Sequence, residues 1–392
     1  MPEPRLVRAR VAVSAVFAVH GAVGGCFATR IPWIADRLHL TPAALGLALL
    51  APAVGAMVTM PLAGRLVHRY RSRTVLRALM AAWCAALALP ALAPNLALLW
   101  IALLVYGATA GMADVAMNAE GVVVEQRYGR SIMSGLHGMW SVGALVGSGI
   151  GALFAHAGTD ARLHLGISAA VLLALGWVAG TDLLDVRLPG TGALTFALPS
   201  RGVLLIGLVG FCAVFAESAS ADWCAVYLRG VTGAEPGTAA AGFTAFAFTM
   251  AGGRLVGDRV IRRLGAVASV RLGGLVAAAG GVLVVAAQTA PYGILGFALL
   301  GLGVAVVVPL AFAAAGTTGV NPGQAIAGVA TIAYGSGLAA PATIGGIADL
   351  TSLRVSFTVV SALCLLVTLG AAVVRPGRSV DADLLEASPG PV

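Results

Sequence analysis

Residues 96–119 read LALLWIALLVYGATAGMADVAMNA, an apolar run that contains one charged residue, Asp114. At a rise of about 1.5 Å per residue, a helix of this length crosses a hydrocarbon core of roughly 30 Å. A helix also satisfies its own backbone hydrogen bonds, which lipid cannot do. This stretch therefore predicts a membrane-spanning helix.

Comparable apolar runs recur along the whole chain. Of its 392 residues, 59% are hydrophobic and 10% are charged, and the mean hydropathy is +0.96. A soluble globular protein is excluded, because about half of such a chain is apolar. Twelve apolar segments are separated by proline, glycine and charged residues: 11–29, 44–66, 75–93, 96–119, 132–156, 164–180, 202–228, 238–257, 267–287, 291–316, 325–348 and 355–374.

A polar break divides these segments into six and six. Residues 181–200 contain Asp182, Asp185 and Arg187 and have the composition of a linker. We therefore predict an all-α integral membrane protein with twelve transmembrane helices in two pseudo-symmetric six-helix bundles. The predicted parts are the bundles 1–180 and 201–374, the cytoplasmic linker 181–200 and the cytoplasmic tail 375–392.

The basic residues indicate how the chain is oriented. All 24 are arginines, and 19 of them fall before the first segment, in alternate connections or in the tail. An excess of basic residues marks the cytoplasmic side, so both termini are predicted to be cytoplasmic, in the inner membrane. This distribution, rather than a nucleic-acid partner, accounts for the net charge of +8.

A short motif occurs in both halves. Gly64-Arg65-Leu66-Val67 lies at the end of the second segment, Gly253-Arg254-Leu255-Val256 lies at the end of the eighth, and each copy precedes an arginine cluster. The first copy and its sequel, through Arg73, resemble the signature loop of the major facilitator superfamily, and Gly257-Asp258-Arg259 restores an acid in the second. The motif residues predicted for this cytoplasmic loop are Gly64, Arg69, Arg73, Gly253, Asp258 and Arg259.

Finer likenesses concern the first, fourth, fifth and seventh segments. Ala28-Thr29-Arg30 with Pro32, residues 114–121, His137-Gly138 and the stretch from Glu217 to Trp223 together resemble the YbjJ-type inner-membrane branch of that superfamily. The acid and asparagine spaced four apart in the fourth segment are more distantly similar to those of proton-coupled fucose permeases. The resemblance implies a monomer with the superfamily fold.

The resemblance also implies a secondary active transporter that moves a small organic solute by alternating access, with proton coupling. The alternatives are a solute-responsive membrane sensor with a transporter fold and a metabolite or drug exporter. An enzyme is not expected: the chain has no lysine for a P-loop, and no catalytic grouping lies outside the apolar segments. No cofactor and no metal site are predicted, and the expected partners are the solute, protons and lipids.

Polar residues inside apolar segments are the candidates for binding solute or protons. Asp114 is costly in lipid and must face a cavity or a partner, and Asn118 lies one helical turn away on the same face. Whether this pair binds solute and protons or only joins helices stays open. Glu120 and Glu125 are interpreted as a structural ion network. The remaining solute or proton candidates are Glu217, His20, His137, Trp140 and Tyr334.

An outer gate is predicted from the internal repeat. The repeat pairs the outer end of the first segment with that of the seventh, which would bring Arg30 towards Glu217 and Asp222 when the cavity opens inward. We predict that these opposite charges latch the gate. In the alternative, Arg30 extends to the lipid headgroups and Glu217 binds solute or protons.

Overall fold

The computed structural model describes residues 3–129, 132–185, 201–317 and 322–375, and the regular structure within them is helical throughout. The first half contains α1 (Pro4–Ala28), α2 (Ile31–Arg37), α3 (Pro42–Arg69), α4 (Ser72–Ala86), α5 (Leu89–Leu92), α6 (Leu96–Tyr128), α7 (Met133–His156) and α8 (Ala161–Ala179). The second half contains α9 (Arg201–Thr232), α10 (Pro236–Leu264), α11 (Ala266–Ala286), α12 (Ala290–Val304), α13 (Val307–Gly316), α14 (Pro322–Leu350) and α15 (Leu353–Gly370).

These helices form twelve spans, because three spans consist of two consecutive helices each: α1 with α2, α4 with α5, and α12 with α13. Within the described ranges, eleven spans are long and apolar enough to cross a membrane. The helix α14, with 29 residues, supplies the remaining span. The predicted all-α fold of twelve transmembrane helices is confirmed.

The two ends of the bundle differ in their polar groups. The α3–α4, α6–α7 and α10–α11 connections lie at the end that holds most of the arginines, which we call the arginine-rich end. At the opposite, arginine-poor end, side chains cap the first turns of four helices. Thr41 accepts a hydrogen bond from Ala44 N, and Asn95 accepts one from Leu98 N. These caps replace backbone partners that the first helical turn lacks.

Helix pairs in the first half pack as their counterparts do in the second. The helix α1 lies along α7 as α9 lies along α14, and α3 lies along α6 as α10 lies along α12. Small residues permit the closest approach, since a Cβ atom on Gly143 of α7 would lie 1.8 Å from the carbonyl oxygen of Ala18. The repeated packing agrees with the repeat in the sequence.

The halves contact each other through α3 with α14 and through α7 with α10. These two contacts correspond under the same pseudo-symmetry, because α3 is the counterpart of α10 and α7 is the counterpart of α14. Residues 186–200 of the predicted linker and residues 376–392 of the predicted tail lie outside the described ranges. The domain boundaries stay a prediction.

Candidate functional site

Asp114 and Asn118 lie near the middle of α6, and both side chains are partly exposed. The amide nitrogen of Asn118 donates to Asp114 Oδ1 at 3.2 Å and to the Asp114 carbonyl oxygen at 2.9 Å. The pair is therefore not sealed within the helix packing. The carboxylate keeps further acceptor capacity, and so does the amide oxygen, for a polar solute.

His20 is held by three aromatic and backbone groups. Trp140 Nε1 donates to His20 Nδ1 at 3.0 Å, so His20 Nε2 carries the proton and donates to the Ala110 carbonyl oxygen at 3.3 Å. The indole ring of Trp83 stacks on the imidazole at 5.2 Å between centroids. Both ring nitrogens of His20 are therefore occupied, and this geometry favours a structural role for His20 and Trp140 over solute binding.

His137 is exposed, although it lies one turn inside α7. Its ring packs edge-on against Phe17 at 5.4 Å, and it lies within electrostatic reach of Asp114 in the same half and of Arg254 in the other half. His137 thus borders the space between the halves from the arginine-rich end. The side chain of Tyr334 lies outside the described part of the structure.

In the second half, Glu217 of α9 forms an ion pair with Arg254 of α10. Arg254 Nη2 lies 3.2 and 3.3 Å from the two carboxylate oxygens, and the side chains are 27% and 32% exposed. The sequence analysis did not single out this pair. Arg254 lies inside the apolar run 238–257, where a charged residue needs a partner, and its long side chain reaches Glu217.

The signature motif lies in helices rather than in a loop. Gly64 and Arg69 fall within α3, whereas Gly253, Asp258 and Arg259 fall within α10. A loop does not form at these positions, because α3 and α10 extend over them, and their predicted cytoplasmic location stays a prediction. Arg73, in the first turn of α4, donates to the Leu183 carbonyl oxygen at 3.0 and 2.7 Å.

Residues 183–185, which we call the strap, are fastened to the first half at the arginine-rich end. Arg71 pairs with Asp185 at 2.6 Å, and Ser72 Oγ donates to the Leu184 carbonyl oxygen at 2.8 Å. Glu120, which is fully buried, accepts a hydrogen bond from Leu184 N at 2.8 Å. The sequence pattern places Glu120 in an ion network, but in the structure it is a backbone acceptor for the strap.

Glu120→Ala is expected to lower the thermal stability of the purified protein. The substitution leaves the Leu184 N–H buried without an acceptor, which costs roughly 1–3 kcal/mol. Glu120→Gln keeps a carbonyl oxygen at the same place and serves as the matched control. Thermal unfolding in detergent should show a lower midpoint for the alanine variant alone, and equal midpoints for both variants would contradict this role.

The halves are pressed together at the arginine-poor end, in a contact that we call the gate. A Cβ atom on Gly345 of α14 would lie 2.4 Å from the Pro42 carbonyl oxygen and 2.9 Å from Gly46 Cα, both in α3. Between α7 and α10, a Cβ atom on Gly237 would lie 2.6 Å from His156 Cβ. At these separations no solute can pass between α3 and α14 or between α7 and α10, so the two halves are in direct contact at this end of the protein.

The predicted latch between Arg30 and Glu217 or Asp222 does not form in this shut gate, and the prediction is wrong for this conformation. Arg30 is buried and donates through Nε to His164 Nδ1 at 2.9 Å, within the first half. Glu217 lies too deep and pairs with Arg254. Among the described residues, Asp36 and Arg229 form an ion pair that joins the halves here, at 2.9 Å.

The described residues contain no group of three histidine, cysteine, aspartate or glutamate side chains that could hold a metal ion. What the structure brings together is a set of membrane-embedded polar side chains from two matched six-helix halves. Together, the fold and this set define a polytopic helical membrane protein of two matched halves with polar groups inside its spans.

Comparison with known proteins identifies the family. The sequence profile described as Major Facilitator Superfamily matches residues 13–319. The chain is 37% identical over 372 residues to an uncharacterized MFS-type transporter of Yersinia pestis, covering 92% of this chain and 94% of the relative. The chain belongs to the Major Facilitator Superfamily.

Other relatives agree with this assignment. An uncharacterized transporter of Sinorhizobium fredii is 35% identical over 369 residues, covering 93% of this chain and 97% of the relative. The membrane protein MosC of Rhizobium meliloti is 31% identical over 343 residues, covering 87% of this chain and 84% of the relative. The narrower resemblance to the YbjJ-type branch and to fucose permeases stays a prediction.

Solved structures show the same fold at low sequence identity. A mutant of the nucleoside transporter NupG superimposes with a TM-score of 0.76 at 12% identity, over 93% of this chain and 99% of that one. A bacterial homologue of the lysosomal transporter Spinster, inward-facing and unoccupied, superimposes with a TM-score of 0.71 at 12% identity, over 97% of this chain and all of that one.

Proposed function

We propose that the protein moves a small polar organic solute across the membrane by alternating access and that the movement is driven by a proton gradient. One observation carries this proposal. Asp114, Asn118 and His137 of the first half and the Glu217–Arg254 pair of the second remain partly or fully exposed, while the gate at the arginine-poor end is shut. Polar groups in contact with one side only are what alternating access requires.

The charge pattern of these residues favours a solute with hydrogen-bonding groups. Membrane-embedded acids are costly and commonly mark solute or proton pathways. Asp114 and Asn118 offer acceptors, and Arg254 keeps N–H donors beyond its bond to Glu217. A solute with both donors and acceptors would bridge the two halves and stabilise an occluded state.

A flux measurement tests the proposal. Purified protein in detergent is first screened by thermal shift against sugars, nucleosides, organic acids and drugs, and each stabilising compound is then offered to proteoliposomes with an imposed pH gradient. A proton-driven transporter accumulates the compound, and dissipating the gradient abolishes accumulation. Binding without flux would instead identify a solute-responsive sensor, and outward movement against its gradient would identify an exporter.

Asn118→Ala is expected to weaken binding of the solute found in that screen by roughly tenfold, since a hydrogen bond to a charged or polar partner contributes about 1.5 kcal/mol. The concentration dependence of the thermal shift measures this change. Thr109→Ala is the control on the same helix, because the Thr109 hydroxyl bonds only to carbonyl oxygens of its own helix among the described residues. Equal affinities for the two variants would remove Asn118 from the binding site.

A further inference from the structure

Arg30 carries a buried positive charge that no acidic side chain contacts among the described residues. It is 3% exposed and lies between the end of α1 and the start of α2. Its Nε donates to Nδ1 of His164 at 2.9 Å, and none of the ion pairs within the described part of the chain includes Arg30. Burial of a charge without a counter-charge is strongly unfavourable, so the fold needs a group that neutralises this guanidinium.

Beside this charge lies a set of hydrogen-bond donors that have no acceptor. His164 is fully buried, and because its Nδ1 accepts from Arg30, its Nε2 carries the proton. Neither His164 Nε2 nor Arg30 Nη2 has a hydrogen-bond partner among the described residues. Nη2 and Nε form one edge of the planar guanidinium, so the N–H groups of Nη2 lie next to the imidazole. A partner for this donor set must therefore accept hydrogen bonds.

The side chains around these donors all belong to the first half. Phe154 of α7 stacks on the His164 ring, with 4.8 Å between ring centroids. Thr29, which precedes Arg30, packs against α7 so closely that a Cβ atom on Gly151 would lie 2.0 Å from the Thr29 hydroxyl oxygen. The two donors are thus held between α1, α7 and α8 and shielded from solvent. This packing favours a small ion over an organic anion.

Asp160, which precedes α8, is an acid within electrostatic reach of Arg30. Its side chain caps α8 by accepting a hydrogen bond from Arg162 N at 2.7 Å. Asp160 is exposed, so water and salt screen its charge. Asp160 therefore offsets the charge of Arg30 only in part, and it leaves the buried donors of Arg30 and His164 without an acceptor.

We propose that Arg30 Nη2 and His164 Nε2 bind a small monovalent anion, such as chloride, in the interior of the first half. The anion accepts hydrogen bonds from both groups and neutralises the guanidinium, so it fastens the end of α1 to α8. Water accepts hydrogen bonds as well, but it carries no charge. The site lies within one half of the protein, so this inference does not depend on the proposed transport.

The salt dependence of stability tests this site. The purified full chain in detergent is unfolded thermally in sodium gluconate, and chloride then replaces gluconate stepwise at constant ionic strength. An ion that binds the folded state raises the unfolding midpoint, and we expect a saturable rise of about 3 °C. Bromide should act like chloride. The same midpoint in all three salts would overturn the inference and leave a water molecule as the partner of these donors.

Two arginine variants separate this site from general effects of salt. Arg30→Gln removes the buried charge and should abolish the rise. Arg162→Gln is the matched control, because Arg162 is an exposed arginine near the same end, where its guanidinium lies over the Trp33 ring. This control should keep the rise of the parent protein. A rise that survives in Arg30→Gln, or one that is lost in Arg162→Gln, would contradict the assignment.

A surface variant keeps the test decisive if Arg30→Gln does not fold. Asp160→Asn removes a negative charge that repels the bound anion, and its amide oxygen still caps α8. The chloride concentration that gives half of the rise should therefore fall about threefold. If Asp160 itself neutralises Arg30, Asp160→Asn should instead lower the midpoint equally in gluconate and in chloride. That outcome would also overturn the inference.

Discussion

Gly345→Val is expected to hold the gate open and to reduce transport at least ~100-fold, because a state that must form in every cycle is penalised by several kcal/mol. A Cβ atom on Gly345 would lie 2.4 Å from the Pro42 carbonyl oxygen and 2.9 Å from Gly46 Cα. Both obstacles are backbone atoms of α3, so the clash is relieved only when α14 and α3 move apart. Each six-helix half keeps its own packing.

The neighbouring glycine supplies a matched control. A Cβ atom on Gly346 would meet no atom within 4 Å, and Gly346→Val changes the helix propensity of α14 by the same amount. Uptake of the identified solute by proteoliposomes should therefore be lost in Gly345→Val and nearly retained in Gly346→Val. If both variants transport normally, contact between α3 and α14 is not part of the transport cycle.

The helices, and which helices of the two halves correspond, could be predicted because both are visible in short stretches of sequence. Each apolar run is read from consecutive residues, and the repeated Gly-Arg-Leu-Val motif marks counterparts that the structure places in α3 and α10. The depth of Asp114 could be predicted for the same reason. A residue's position along one helix is a property of the sequence.

Partners of charged residues could not be predicted in the same way. Arg30 bonds to His164, which is 134 positions away, and the choice between this partner and Glu217 depends on how α8 packs beside α1. Arg254 has arginine neighbours in sequence, although its side chain reaches another helix. The contact between Glu120 and the strap was not predicted, because its donor is the backbone N–H of Leu184. Every residue type except proline has this group, so the sequence does not mark it.

The exposed Asp36–Arg229 pair shows how much an ion pair near the surface contributes to stability. It serves as the reference for the deeper pair, Glu217 with Arg254. The side chains of Asp36 and Arg229 are 60% and 33% exposed, and such a pair typically contributes less than about 1 kcal/mol. Asp36→Asn and Arg229→Gln should each shift the midpoint of thermal unfolding only slightly. Any larger effect at Glu217 and Arg254 then reflects their depth in the membrane.

Arg254→Gln is expected to lower both stability and transport, and the double variant Glu217→Gln/Arg254→Gln is expected to recover stability but not transport. Removing Arg254 alone leaves the Glu217 carboxylate unpaired within the bundle, at a cost of about 1–3 kcal/mol after allowance for its partial exposure. Neutralising both side chains removes that penalty, because two amides can bond to each other.

The same double variant distinguishes a binding role from a structural one. If the pair only fastens α9 to α10, recovery of the unfolding midpoint should bring recovery of uptake, since the two helices are joined again. If Arg254 also contacts the solute, uptake by proteoliposomes should stay at the level of Arg254→Gln, because an amide cannot replace the charge and the additional N–H donors of a guanidinium. We expect the second result, since Arg254 lies within electrostatic reach of His137 in the opposite half, where a bound solute would lie between them.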